Sequence, residues 1–133
     1  MLTNIDPRDQ VQPVAARLVA DYARYLDDRD GDAFVGLFTP DAEIVIGERR
    51  IAGHEALRTF LEGSPRGLHI PGTPSVELDG DDVLSHSTVV FVDSSTTGIR
   101  AVTNRDRMVW SGGSLLFRQR QLEIRADTLQ PRE

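Results

Sequence analysis

Apolar residues recur at Val11, Val14, Ala15, Leu18, Tyr22, Tyr25 and Leu26, the spacing of one helical face. Asp6-Pro7-Arg8-Asp9 supplies the start: Asp6 as cap, Pro7 in the first turn, Asp9 beside the positive end of the helix dipole. Asp30-Gly31-Asp32 restarts a short helix that carries Phe34, Leu37 and Phe38, and Pro40 stops it. Residues 42–46 read as a strand, and Gly47 begins a turn. Gly53 opens a third helix with Leu57, Phe60 and Leu61, and Gly63 closes it. After Gly67 the period changes. Residues 68–78, 83–93, 99–110 and 115–126 read as long strands rich in Val, Ile, Leu, Thr and Phe. Asp79-Gly80-Asp81-Asp82, Ser94-Ser95-Thr96-Thr97-Gly98 and Ser111-Gly112-Gly113 separate them with turn chemistry. Strands joined by such short turns are antiparallel. The pattern predicts one α+β domain over residues 1–133. Three N-terminal helices would close one face of a curled, mostly antiparallel sheet, leaving a cone with one open end.

Composition narrows the chemistry. The 133 residues include no Cys, and all 15 basic residues are Arg. Schiff-base lysines, the Walker lysine, thiolate nucleophiles, Cys-ligated zinc and iron–sulfur clusters are therefore excluded. The net charge is -6, from 21 acidic against 15 basic residues, which argues against a nucleic-acid partner. Arg100, Arg105, Arg107, Arg118, Arg120 and Arg125 thicken late, but acids sit among them and no aromatic residues interleave for base stacking. They read as strand surface and rim. The first residues show no secretory leader, and no apolar run approaches membrane-spanning length. The expectation is a soluble, cytoplasmic protein without a membrane partner.

Asp27 is the most informative position. Arg17, Asp21, Arg24 and Asp28 form one stripe of the first helix, with Arg17–Asp21 and Arg24–Asp28 as i,i+4 pairs on a solvated face. Asp27 instead continues the small-residue row Ala16, Ala20 and Ala23, which lets another element approach closely. A covered carboxylate needs a partner or a task; the plain alternative is that it caps the next helix. Of the three histidines, His54 follows Gly53 at a helix start and is expected to face water. His86 lies inside a strand, as core or as ligand. His69 begins the first long strand, at the mouth of the expected cone, although a lone strand histidine is more often structural than catalytic.

Metal sites find no support. His54-Glu55 lacks the second zincin histidine, because position 58 is Arg58. Asp28-Arg29-Asp30-Gly31-Asp32 departs from the calcium-loop pattern, with Thr39 where that loop requires Glu. No Gly-x-Ser-x-Gly elbow and no phosphate-binding glycine loop occur.

The chain resembles SnoaL-like proteins of the NTF2-like superfamily, the group of scytalone dehydratase, ketosteroid isomerase, polyketide cyclases and a dehydrochlorinase. The stretches that carry the resemblance are Tyr25–Asp32, Leu37–Ala42, Ile51–Leu57, Gly67–His69, Asn104–Trp110 and Leu115–Arg120. They extend the likeness from about Val11 to Asp127. It implies the cone fold and a catalytic Asp–His pair at Asp27 and His69, the two positions reached above from the helix stripe and the strand end. Asn104 stands where scytalone dehydratase has a substrate-binding asparagine. Ser94 stands where that enzyme has a second active-site histidine, and Leu26 and Ile46 where it has two water-holding tyrosines. The full dehydratase apparatus is thus missing, and the surviving pair is closer to the dehydrochlorinase branch.

Two functions follow as expectations. One is a cofactor-independent, metal-free lyase or isomerase acting on a small apolar or aromatic, polyketide-like molecule. His69 would be the general base, Asp27 would hold its ring, and Asn104 would donate to a carbonyl or enolate oxygen. Phe34, Phe38, Phe60, Val90, Val92 and Trp110 would build the apolar cavity. The other is a non-catalytic ligand-binding or dimerisation module. In either case the outer sheet face is expected to support a homodimer.

Overall fold

The computed structural model describes residues 6–125; Ala126, expected in the last strand, lies outside the described residues. A 3₁₀ turn at Pro7–Gln10 leads into helix α1, Val11–Asp28, and the Asp6 carboxylate accepts the Arg8 N–H as its cap. α1 buries Ala15, Leu18, Val19, Tyr22, Ala23 and Leu26; of the predicted apolar face, Val11, Val14 and Tyr25 are only half-buried. Arg29, at φ 58°, ends the helix in the left-handed region and carries its guanidinium to the carbonyls of Leu61 and Ser64. It thereby ties the end of α1 to the end of α3, His54–Gly63. On the solvated stripe Arg17 pairs with Asp21 as expected, whereas Arg24 turns back to Asp21 rather than to Asp28.

Helix α2 is short, Gly31–Val35, with Asp30 accepting the Ala33 N–H. Phe38 belongs to strand β1, Phe38–Ile46, and not to α2. The reason is a backbone bond: the Phe117 N–H donates to the Leu37 carbonyl at 2.8 Å and draws the chain out alongside the last strand. Pro40 sits inside β1, where the pairing register is irregular between Phe38 and Glu43. Strand β2, Arg49–Ala52, folds back on β1.

The predicted strand over 68–78 is two strands, β3 at Gly67–Pro71 and β4 at Ser75–Asp79. Pro71 and Pro74 bracket the break and cannot donate to a ladder. Both strands pair with β5, Asp82–Asp93. Strands β6, Ile99–Ser111, and β7, Ser114–Arg125, complete a sheet of order β2-β1-β7-β6-β5-β3, with β4 also on β5. Among the described residues only β1 and β7 pair in parallel, and every other pairing is antiparallel. The class is α+β with a curved, unclosed sheet, as the sequence pattern indicates.

The helices fill one end of the concave face. Tyr22, Phe34, Phe38 and Phe117 meet there with ring centroids 5.2–6.2 Å apart. Leu57, Ile44, Met108 and Val83 are fully buried around them. The other end stays open. Among the described residues no helix is long and apolar enough to cross a membrane.

Candidate functional site

The open end is a cavity of about 370 Å³, within the range of roughly 300–1,000 Å³ usual for small-molecule sites. Most of its surface is apolar and comes from α1, the end of α3 and the inward faces of β3, β5, β6 and β7.

His69 stands in this wall, on the edge strand β3. Its ring Nδ1 lies 2.6 Å from Asp27 Oδ1, and its backbone N–H donates to Asp27 Oδ2 at 2.9 Å. One carboxylate thus fixes both the backbone and the ring. The small-residue row does not by itself account for the cover over Asp27. Ala23 is buried, but Ala20 is exposed; what covers Asp27 is β3 crossing the last turn of α1. The rival role for Asp27 falls to its neighbour, because Asp30 caps α2. The ring of His69 packs tilted against Phe91 with centroids 4.5 Å apart, and the Arg100 guanidinium lies 5.3 Å from the Phe91 ring centroid. With Nδ1 on the carboxylate, Nε2 is the ring nitrogen left for the cavity.

Leu26, Ile46, Phe60 and Asn104 also line the cavity. Phe38 does not: it is part of the aromatic core. Phe34 is core as well, and Trp110 packs on the core outside the cavity wall. Val92 and Val90 point to the outer sheet face, and Val89 and Phe91 face in. The run Val89-Val90-Phe91-Val92 is apolar on both faces, so alternation could not fix its phase. Ser94 is exposed past the end of β5, where its hydroxyl donates to the Arg66 carbonyl at 2.8 Å and pins the start of β3. His54 is not a water-facing residue: its Nε2 lies 2.9 Å from the Phe38 carbonyl. His86 is exposed on the outer face.

The sequence reading missed the polar floor of the cavity. Arg120, only 1% exposed, lies between the aromatic core and the cavity. Its guanidinium donates to both Asp106 oxygens, at 2.8 and 3.3 Å, and sits over the rings of Tyr22 and Phe117 at 4.1 and 4.6 Å. Burial pushes the Asp106 carboxyl up from its ordinary value, against the pull of Arg120. Burial likewise pushes the Tyr22 phenol up, so it stays protonated. Tyr22 belongs to the cavity wall, but its hydroxyl oxygen is itself buried and has no hydrogen-bond partner among the described residues. Simple alternation from Phe117 would turn Arg120 outward, onto the strand surface. A bulge decides otherwise. β6 pairs Met108 with Phe117 and Arg107 with Gln119, which leaves Arg118 unopposed and reverses the phase beyond it. Among the described residues no three His, Asp or Glu side chains converge as a metal site would require.

Known proteins share this arrangement of the chain. An NTF2-like protein with a cystatin-like fold from Novosphingobium aromaticivorans superposes with a TM-score of 0.79 at 19% identity, covering 97% of this chain and 93% of that one. A protein of the same organism assigned as a scytalone dehydratase gives 0.77 at 20% identity, covering 90% and 88%. A protein from Catenulispora acidiphila in complex with S-DNPA gives 0.77 at 20% identity, covering 91% and 98%. At these identities the likeness shows the NTF2-like fold. No curated protein matches the chain in sequence. The model of the SnoaL-like domain family, however, matches residues 14–121, and the chain belongs to that family.

Proposed function

We propose that the protein is a small-molecule lyase or isomerase in which His69 removes a proton from carbon. The observation that carries this reading is the 2.6 Å contact between Asp27 and His69 Nδ1 at the wall of an apolar cavity. The carboxylate holds the ring with Nδ1–H toward itself and stabilises the imidazolium formed when Nε2 takes the proton. The electron pair left on carbon passes to an adjacent carbonyl oxygen, which becomes an enolate. Asn104 and Arg120 are the cavity-lining donors for that oxygen. Return of the proton to another carbon is isomerisation; departure of a group from the β carbon is elimination. The step needs no redox cofactor. A relative assigned as a dehydratase and another in complex with a small molecule support the class of reaction and of ligand.

The test is exchange of the α-hydrogens of 2-tetralone in D₂O, followed by NMR. Wild type is expected to accelerate exchange, and His69→Gln to lose roughly 10²–10⁴-fold of that acceleration, the usual contribution of a general base. Wild-type exchange no faster than that of His69→Gln favours the binding-module reading.

We also propose a homodimer through the outer sheet face. Strand register sets Leu68 beside Val92 and Ile99, and Ile70 beside Val90. Leu68, Ile70 and Ile99 are 55%, 51% and 44% exposed, a large apolar row for a surface. A second copy, related by two-fold symmetry, is the occupant that matches such a row with itself. Sedimentation should show a dimer at micromolar concentration and a monomer for Leu68→Asp/Ile70→Asp; a wild-type monomer overturns the claim.

A further inference from the structure

The permanently charged groups that face the cavity are opposite in sign to the protein's net charge. The chain carries a net charge of -6, yet every permanently charged side chain in the cavity wall is an arginine: Arg49, Arg100 and Arg120. Among the described residues no carboxylate lines it. The acids are present but stand behind the groups they pair with. Asp106 holds Arg120, Asp93 holds Arg100 at 3.3 Å, and Asp27 holds His69. In each pair the nitrogen-bearing group lines the cavity and the carboxylate does not. Arg49, at the start of β2, has no carboxylate within salt-bridge distance among the described residues.

The register gives the layout. Arg49 pairs with Ile46 and Ile46 with Leu122, while Arg100 pairs with Phe91, the partner of His69. Arg49 and Arg100 therefore stand on opposite sides of the β7 end that carries Ile124. Arg120 is buried below, so two guanidiniums sit at the mouth and one at the floor. An apolar wall alone would favour a neutral hydrocarbon-like ligand. An anion entering such a wall loses water and needs a fixed positive partner, which a guanidinium supplies through two parallel N–H donors at any physiological pH.

We infer that the cavity takes an apolar organic anion, with a carboxylate or comparable oxyanion at the mouth on one of the two arginines there, Arg49 or Arg100. Its hydrocarbon body fills the space between His69 and Leu122, and any carbonyl oxygen reaches Asn104 and Arg120. The inference rests on the reading of this cavity as the small-molecule site, and it names the class of molecule that site selects. It does not depend on turnover.

The test is calorimetric titration with 2-naphthoate and with its methyl ester, two unreactive probes of the same ring system that differ in charge. Wild type should bind 2-naphthoate at least about tenfold more tightly than the ester, a difference of roughly 1.4 kcal/mol. The preference should shrink as ionic strength rises. Arg49→Gln/Arg100→Gln, at half-exposed rim positions, should bring the two probes within about twofold of each other without weakening the ester. Equal or tighter binding of the ester by wild type overturns the inference, as does a preference that survives the double substitution. Failure of both probes to bind also overturns it. His69→Gln separates the two readings: it should abolish tetralone exchange while keeping the naphthoate preference. If exchange by wild type is absent but the preference is present, the catalytic reading fails and the ligand class stands.

Discussion

The concave face of the sheet has two halves, and the same strands serve both. Toward the start of β7 it is packed solid with Phe34, Phe38 and Phe117 against Tyr22. Toward the end of β7 it is hollow, with Leu122 and Ile124 facing a cavity of about 370 Å³. The boundary is Arg120, which stacks on the aromatic side and lines the cavity side. The solid half defines the fold and the hollow half leaves room for chemistry. Substitutions in the two halves should therefore report on different quantities.

The largest effects belong to the solid half and its boundary. Phe117→Ala removes a fully buried ring and should lower the unfolding free energy by about 3–5 kcal/mol in denaturant titrations. Arg120→Met leaves the Asp106 carboxylate buried without its partner and should cost a similar amount, about 3–5 kcal/mol. Arg120→Met/Asp106→Leu should recover most of that loss, since no lone charge then remains. Val102→Ala and Ile124→Ala, partly exposed in the cavity wall and outside the core cluster, should each cost less than about 1 kcal/mol. If they match Phe117→Ala, the two halves are not distinct.

A smaller effect sits at the open end. Asp93 is held below its ordinary carboxylate value first by the Ser95 hydroxyl, then by the backbone N–H groups of Ser95 and Thr96, with Arg100 nearby. A carboxylate with a lowered folded value contributes stability that is fully present above the unfolded value of about 3.9. That contribution is lost as pH falls through the lower folded value. Asp93→Asn should thus flatten the acid side of the stability curve and leave its slope above pH 6 unchanged. An unaltered acid limb in urea titrations would show that this turn is not a source of acid sensitivity.

The two halves also differed in how far the sequence revealed them. α1 and α3 were readable because a single face carries the apolar residues. Asp27 stands out because it leaves the charged stripe, and His69 because it begins a strand; that the two form a pair is what the family resemblance implies. Neither needs a register. The cavity walls do need one, and there the reading failed wherever alternation was broken or absent. Val92 was assigned inward because its run has no polar phase marker. Arg120 was assigned outward because the bulge at Arg118 cannot be seen in a stretch of alternating Arg and Gln. Phe38 was drawn into a helix because Pro40 looks like a stop, although the parallel pairing with β7 extends the chain through it. Local periodicity carries the helices; long-range pairing carries the cavity.

In the proposed mechanism His69 offers an unprotonated Nε2 to the cavity because Asp27 keeps the ring hydrogen on Nδ1. Long-range ¹H–¹⁵N correlation of the histidine rings at pH 8, where free imidazole is neutral, reads this directly. His69 should show a protonated Nδ1 and a bare Nε2, and Asp27→Asn should redistribute the hydrogen between the two nitrogens. A wild-type ring carrying its hydrogen on Nε2, or a pattern unchanged by Asp27→Asn, would contradict the account.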